Sequence, residues 1–173
     1  MKVFYIRKSE FLAEISRDEL EKCSDGKKYK SEKKYIEHLC GLYLTKYVAK
    51  NFYNISDTTI ISHCEKPKFL NSDINFSISH SKDLVLVAFD KNNIGADIEY
   101  MADRNFKAIM NYYHKDVKDV TKEEFYRFWT ELEAKIKLNS DVGSLFCIPL
   151  GNEYMMTIVS DKCMVSDFEI IKL

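Results

Sequence analysis

The hexapeptide Ile94-Gly95-Ala96-Asp97-Ile98-Glu99 sets two acids two residues apart in an alternating run. The alternation predicts a strand with Ile94, Ala96 and Ile98 on one face and Gly95, Asp97 and Glu99 on the other. Carboxylates that share a strand face can reach one hard divalent cation, and Gly95 beside them is expected to leave room for a bulky anion. Magnesium is commonly held in that way, by one or two carboxylates plus substrate phosphates. A third acid, Glu133, stands four residues before Lys137 in a helical stretch. Upstream, Phe76-Ser77-Ile78-Ser79-His80-Ser81 and Lys66-Pro67 add hydroxyls, an imidazole and an ammonium. The set points to chemistry on a phosphate ester. Singly, each member is ordinary: Glu133 with Lys137 makes a surface ion pair, Asp97 and Glu99 the solvent face of an edge strand, His80 a loop histidine.

The elements that must position these groups can be read from periodicity. Met1 to Ile6 reads as a strand, and Lys22 to Lys34 as a lysine-rich connector with a turn at Asp25-Gly26. Ser31 is placed to cap a helix reaching about Asn51, with Tyr35, Ile36, Leu39, Cys40, Tyr43, Tyr47 and Val48 as its apolar stripe. Leu84 to Phe89, apolar throughout, reads as a buried central strand, and Asp90-Lys91-Asn92-Asn93 is expected to turn it into a hairpin with the carboxylate strand. Phe106 to Tyr113 is weakly helical. Thr121-Lys122-Glu123-Glu124 is a capping box opening a helix whose expected stripe is Phe125, Phe128, Trp129, Leu132 and Ile136, with 126, 130, 133 and 137 opposite. A last hairpin is expected from Tyr154–Val159 and Met164–Ile171. Helix then hairpin, twice, has the look of a duplicated α+β unit.

Composition bounds the rest. The chain has 173 residues, enough for one domain or two small lobes sharing a core. Charged residues make up 31% with a net charge of -1, which favours neither nucleic acid nor a membrane surface as partner. The apolar run at the N-terminus is too short for a signal peptide, and no stretch could span a bilayer. Cys23, Cys40, Cys64, Cys147 and Cys163 are odd in number and form no CxxC pair, as expected of reduced thiols in a cytoplasmic protein. His38, His63, His80 and His114 form no HExxH, so a metalloprotease is not supported.

The ordered set of motifs resembles the phosphopantetheinyl transferases, of the surfactin-synthetase-activating type. The resemblance runs over nearly the whole chain: Glu65-Lys66-Pro67 stands for a Gly-Lys-Pro motif, and Phe76 to Ser81 for Phe-Asn-Ile-Ser-His-Ser. Gly95, Asp97 and Glu99 match Gly-x-Asp-x-Glu in full, and Trp129 to Lys137 matches Trp-Ser/Thr-x-Lys-Glu-Ala/Ser-x-x-Lys. The resemblance implies an α+β fold of two pseudo-symmetric lobes, each a long helix packed on a small antiparallel sheet. Residues 1–173 would form a single domain, with one lobe at about 1–100 and a trimmed second lobe at about 101–173. It implies a holo-[carrier protein] synthase that moves the 4′-phosphopantetheine arm of coenzyme A to a serine of an apo acyl or peptidyl carrier protein. By the same resemblance Asp97, Glu99 and Glu133 would hold Mg2+, with Glu133 also the base. Lys137 would neutralise the pyrophosphate, Lys66, Ser79 and His80 would bind phosphates of coenzyme A, and Lys27 and Lys28 the adenine-side 3′-phosphate. A monomer is expected.

Three departures from the family pattern stand out. Leu132 replaces the lysine before the motif glutamate, Ile109-Met110-Asn111-Tyr112-Tyr113 replaces an arginine-containing stretch, and Asp116 stands where a glutamate is usual. Only a short segment, with Gly143-Ser144-Leu145 as a loop remnant, separates Lys137 from Tyr154. Two classes follow: an active transferase, or a degenerate homologue that keeps the fold and coenzyme A binding as a binding or scaffold protein.

Overall fold

A computed structural model describes residues 1–62, 66–113, 118–141, 143–162 and 168–173. The elements run β1 (Lys2–Arg7), α1 (Lys8–Glu14), α2 (Arg17–Glu21), α3 (Glu32–Tyr53), β2 (Ile60–Ile61), β3 (Lys68–Phe69), β4 (Asn75–Ser81), β5 (Leu84–Asp90), β6 (Ile94–Tyr100), α4 (Phe106–Tyr113), α5 (Lys122–Leu138), β7 (Ser144–Leu150), β8 (Tyr154–Ser160) and β9 (Glu169–Lys172). Glu65, Cys64, Cys163, His63, His114 and Asp116 lie outside the described residues.

The fold is α+β. One sheet has the order β4-β5-β1-β9, a second the order β6-β8-β7, and β2 and β3 form a short ladder. β5 is buried along its whole length because each of its faces meets a different core. Val85, Val87 and Phe89 join Phe4, Ile6, Phe76 and the α3 residues Leu39, Cys40, Leu44 and Val48. Leu84, Leu86 and Ala88 join Val3 and face Ile94, Ala96, Ile98, Met156 and Ile158 of the other sheet. α5 closes that sheet's far side through Phe125, Tyr126 and Met155, and through Ala134, Leu138 and Val159. The layers are therefore helix, sheet, sheet, helix. Each large apolar side chain buried this way contributes about 1.5–3 kcal/mol. No helix among the described residues is long and apolar enough to cross a membrane.

Several expected features form as anticipated. Thr121 and Glu124 make the reciprocal capping box of α5, and α4 covers Phe106–Tyr113. α3 begins after Ser31, although the Ser31 side chain makes no capping bond. Cys23, Cys40 and Cys147 are free thiols.

Strand partners differ from expectation. β6 does not form a hairpin with β5; it pairs antiparallel with β8, from Ile94↔Ser160 to Tyr100↔Tyr154. β8 takes β7 as its other partner, and β9 runs parallel to β1, so among the described residues no β8–β9 hairpin forms and the first sheet is mixed rather than antiparallel. Sheet pairing therefore does not follow a cut near residue 100. The segment after Lys137 holds a full strand, β7, in place of a bare loop remnant, and its Pro149 is tolerated because β7 is a sheet edge.

α5 is also turned relative to its expected stripe. The buried residues are Phe125, Tyr126, Thr130, Ala134 and Leu138, whereas Ile136 is 62% exposed. The cause is Gly95. A Cβ there would lie 1.9 Å from the carbonyl oxygen of Ala134 and 2.7 Å from the backbone nitrogen of Leu138. Gly95 thus makes room for the backbone of α5, not for an anion, and the small residues Thr130 and Ala134 face inward because the helix sits so close.

Candidate active site

Where β4 passes β6, the structure brings together the motifs of the sequence. On β4, Phe76 packs in the α3 core while Ser77, Ser79 and Ser81 project from the opposite face. β8 occupies one edge of β6, and the N–H groups of Ala96, Ile98 and Tyr100 on its other edge donate to the hydroxyls of Ser77, Ser79 and Ser81 at 2.9, 3.2 and 2.9 Å. The open edge of one sheet is thereby closed by side chains of the other.

Asp97 is 5% exposed. Its Oδ1 accepts from Ser79 Oγ at 2.7 Å and from Lys137 Nζ at 2.7 Å, and Lys137 also donates to Ser79 Oγ and to the carbonyl of Ala96. Asp97 Oδ2 is buried and has no hydrogen-bond partner among the described residues. Glu99, next on the same face, accepts from Ser81 Oγ at 2.9 Å and from the Trp129 indole. Burial, with the Asp97 charge beside it, raises the Glu99 pKa despite those two bonds. Trp129, Glu133 and Lys137 lie four residues apart along one side of α5. Glu133 is half-buried between two residues tied to Glu99 and Asp97. An orphaned, buried carboxylate oxygen fits a divalent cation. Among the described residues, however, no three acidic, histidine or cysteine groups are gathered closely enough to hold one.

Two cavities flank this seam and meet at Pro67 and Ile78. One, of about 740 Å3, is lined by Lys66, Lys68, Ser77, Asn93, Lys137 and Asn139 among others. Lys66 Nζ donates to Asn93 Oδ1 at 2.9 Å and to the carbonyl of Ile94, and burial lowers its pKa to about 8. Asn93 Nδ2 in turn donates to the carbonyl of Leu138, tying Lys66 to the end of α5. The other cavity, of about 470 Å3, is lined by Asp25, Lys27, Tyr29, His38, Ser62 and His80 among others. His80 lies 3.8 Å from Glu37, which is paired with the buried Lys8 at 2.6 Å. Burial is the main reason the His80 pKa falls, with Lys8 and Lys137 adding to it and Glu37 opposing.

The structure thus gathers Asp97, Glu99, Ser79 and Lys137 directly, and sets Lys66 in one cavity and His80 with Lys27 in the other. Lys28 is exposed and lines neither cavity. Ser79 is engaged with Asp97 and Lys137 inside the seam. Sequence reasoning missed the backing pairs Lys8–Glu37 and Asp25–His38, the latter at 3.0 Å. His38 gives little signal in the sequence, since it stands beside the apolar stripe of α3, between Ile36 and Leu39, without interrupting it.

No protein-family profile matches the chain. A Haemophilus influenzae protein, provisionally named a 4′-phosphopantetheinyl transferase, is 36% identical over 86 residues, covering 42% of this chain and 36% of that protein. The 4′-phosphopantetheinyl transferase gsp of Aneurinibacillus migulanus is 27% identical over 92 residues, covering 49% of this chain and 38% of its own length. The chain therefore spans little more than a third of the curated relatives it matches. Both relatives carry the 4′-phosphopantetheinyl transferase name, and the similarity to each is distant and partial.

Proposed function

We propose that this chain transfers the 4′-phosphopantetheine arm of coenzyme A to a serine of an apo acyl or peptidyl carrier protein, in the manner of the surfactin-synthetase-activating type. The observation that carries the proposal is the buried Asp97, with Oδ1 held by Ser79 and Lys137 and Oδ2 without a partner, beside two cavities lined by cationic groups. In this proposal the two helix-and-sheet layers act as the two lobes of the transferase fold.

Coenzyme A carries a pyrophosphate and a 3′-phosphate, and the lysines here, with the His80 imidazole as a hydrogen-bonding group, are spread to suit separated anions. Lys66, Lys68 and Lys137 would face one end of the nucleotide, and His80 with Lys27 the other. The carrier serine hydroxyl attacks the pantetheine-side phosphorus; the bond from that phosphorus to the bridging oxygen breaks, and adenosine 3′,5′-bisphosphate leaves. Glu133 accepts the hydroxyl proton, and Lys137 offsets charge on the departing phosphate. Asp97 and Glu99, together with phosphate oxygens of the substrate, would hold Mg2+, which when bound neutralises charge growing on the phosphoryl oxygens. Lys137 Nζ, 2.7 Å from Asp97 Oδ1, already neutralises that carboxylate without a metal. That contact favours a second reading, a homologue that binds coenzyme A without transferring its arm.

Mass spectrometry of a panel of apo carriers, incubated with coenzyme A, Mg2+ and the protein, tests the proposal. One carrier should gain a phosphopantetheine, with stoichiometric release of adenosine 3′,5′-bisphosphate. Coenzyme A binding without modification of any carrier would select the second reading, and no binding would refute both.

A further inference from the structure

The three serines of β4 contact β6 in a fixed register, each accepting a backbone N–H nineteen residues ahead. Two of them do more. Ser79 accepts from Ile98 N and Lys137 Nζ, which fills its acceptor capacity, so its single proton goes to Asp97 Oδ1. Ser81 accepts from Tyr100 N and gives its proton to Glu99 Oε2. Ser77 makes the seam bond to Ala96 N, with no carboxylate bond among the described contacts. One oxygen of each acid is thus clamped by a hydroxyl that is itself locked by the strand carrying the acid. The clamp leaves Asp97 Oδ2 unpartnered.

From this asymmetry we infer that Ser79 and Ser81 are positioning residues that orient the Asp97 and Glu99 carboxylates toward a shared divalent cation, whereas Ser77 only fastens the seam. The inference rests on the metal-dependent transferase reading and deepens it. It also gives Ser79 a task different from contact with a phosphate. A carboxylate on a short side chain rotates freely unless both its backbone and one oxygen are fixed, and rotation would carry the second oxygen away from the ion. Serine suits the position because one small hydroxyl can accept from the strand and donate to the acid at once.

The test is a titration of the full chain with Mn2+ alone, followed by electron paramagnetic resonance of free Mn2+, with thermal unfolding of each variant recorded in parallel. Ser79→Ala and Ser81→Ala should weaken Mn2+ binding roughly 10- to 100-fold, the usual effect of removing a partner that orients a metal ligand. Ser77→Ala should leave Mn2+ affinity within about twofold of the parent, a difference small beside that effect. Ser81→Thr, which keeps the hydroxyl at a half-buried site, should restore affinity lost in Ser81→Ala. Equal losses in all three alanine variants, or no rescue by threonine, would overturn the positioning role while leaving the metal reading in place. A parent that binds no Mn2+ would remove the metal reading and this inference with it. Should Ser79→Ala fail to fold, the Ser81 pair against Ser77→Ala decides the matter alone.

Discussion

Gly95→Ala separates two roles for one residue. The alanine Cβ would stand 1.9 Å from the Ala134 carbonyl oxygen, where real Cβ atoms keep at least 3.0 Å, so α5 must retreat from β6 by about 1 Å. Both offending atoms of α5, Ala134 O and Leu138 N, are backbone, so no side chain can swing aside. Overpacking typically costs about 1–3 kcal/mol, and a backbone clash belongs at or above the top of that range. For a chain of this size about 3 kcal/mol lowers Tm by roughly 6–12 °C. The same retreat would stretch the 2.7 Å contact from Lys137 to Asp97 and the 2.7 Å contact from Asn93 to Leu138 beyond hydrogen-bond length. Urea titration and differential scanning fluorimetry should therefore report a large loss of stability alongside loss of coenzyme A binding. Adding Ala134→Gly should not rescue it, because the clash is with the carbonyl and not the methyl. A Gly95→Ala protein with Tm within about 2 °C of the parent, impaired only in ligand binding, would refute the packing argument and return the glycine to an anion-accommodating role.

Other perturbations carry distinct signatures. Glu133→Gln is nearly isosteric and a good helix former, so circular dichroism should be unchanged while transfer, measured by carrier mass, falls by roughly 10²–10⁴-fold. Leu132→Lys replaces a half-buried residue one turn before the exposed Ile136, and unfolding should register a cost below about 1 kcal/mol; transfer assays then ask whether the family lysine raises activity. Burial lowers the Lys66 pKa to about 8 from 10.5, so the unfolded chain binds more protons between those values and stability rises with pH across that window. Relative to Lys66→Met, that rise should amount to roughly 1–2 kcal/mol once partial solvent screening is allowed for, as read by urea titrations from pH 7 to about 11. Coenzyme A should bind more tightly with Mg2+ present; calorimetry should show Asp97→Ala losing that dependence and Lys66→Ala losing affinity with or without the ion.

Features set by local sequence were legible and those set by distant partners were not. A short unbroken apolar run that ends in a turn signal reads as a strand with two covered faces, and β5 is that. The capping box at Thr121 is a four-residue signal and needs no tertiary information. Alternation within β6 predicted which side chains share a face, but alternation says nothing of which edge finds which neighbour. The short Asp90–Asn93 turn suggested β5 as partner; the flank of β6 is instead met by serines of β4, and the ladder forms with β8. β9 pairs with β1 across almost the whole chain, a contact no window of sequence contains. β7, expected only as a loop remnant, is an edge strand, and an edge accommodates Pro149 where a central strand would not.

The candidate site was legible in its members and not in its construction, and the orientation of α5 explains why. Ranking positions by hydrophobicity put Phe128, Trp129, Leu132 and Ile136 inward, and so assigned Tyr126, Thr130, Glu133 and Lys137 to the outer face. Close approach ranks them by size instead. Against a strand bearing Gly95, the residues that fit are Thr130 and Ala134, and Thr130 Oγ1 lies 2.7 Å from Thr157 of β8. Turning the helix onto those small residues brings Lys137 onto Asp97 and Trp129 within reach of Glu99, with Glu133 a turn from each. A glycine on a strand opposite small residues on a helix was the available signal, and it bears on function as directly as the acids do. Without the close docking that Gly95 permits, the ammonium of Lys137 could not reach a carboxylate that β4 holds from the other side.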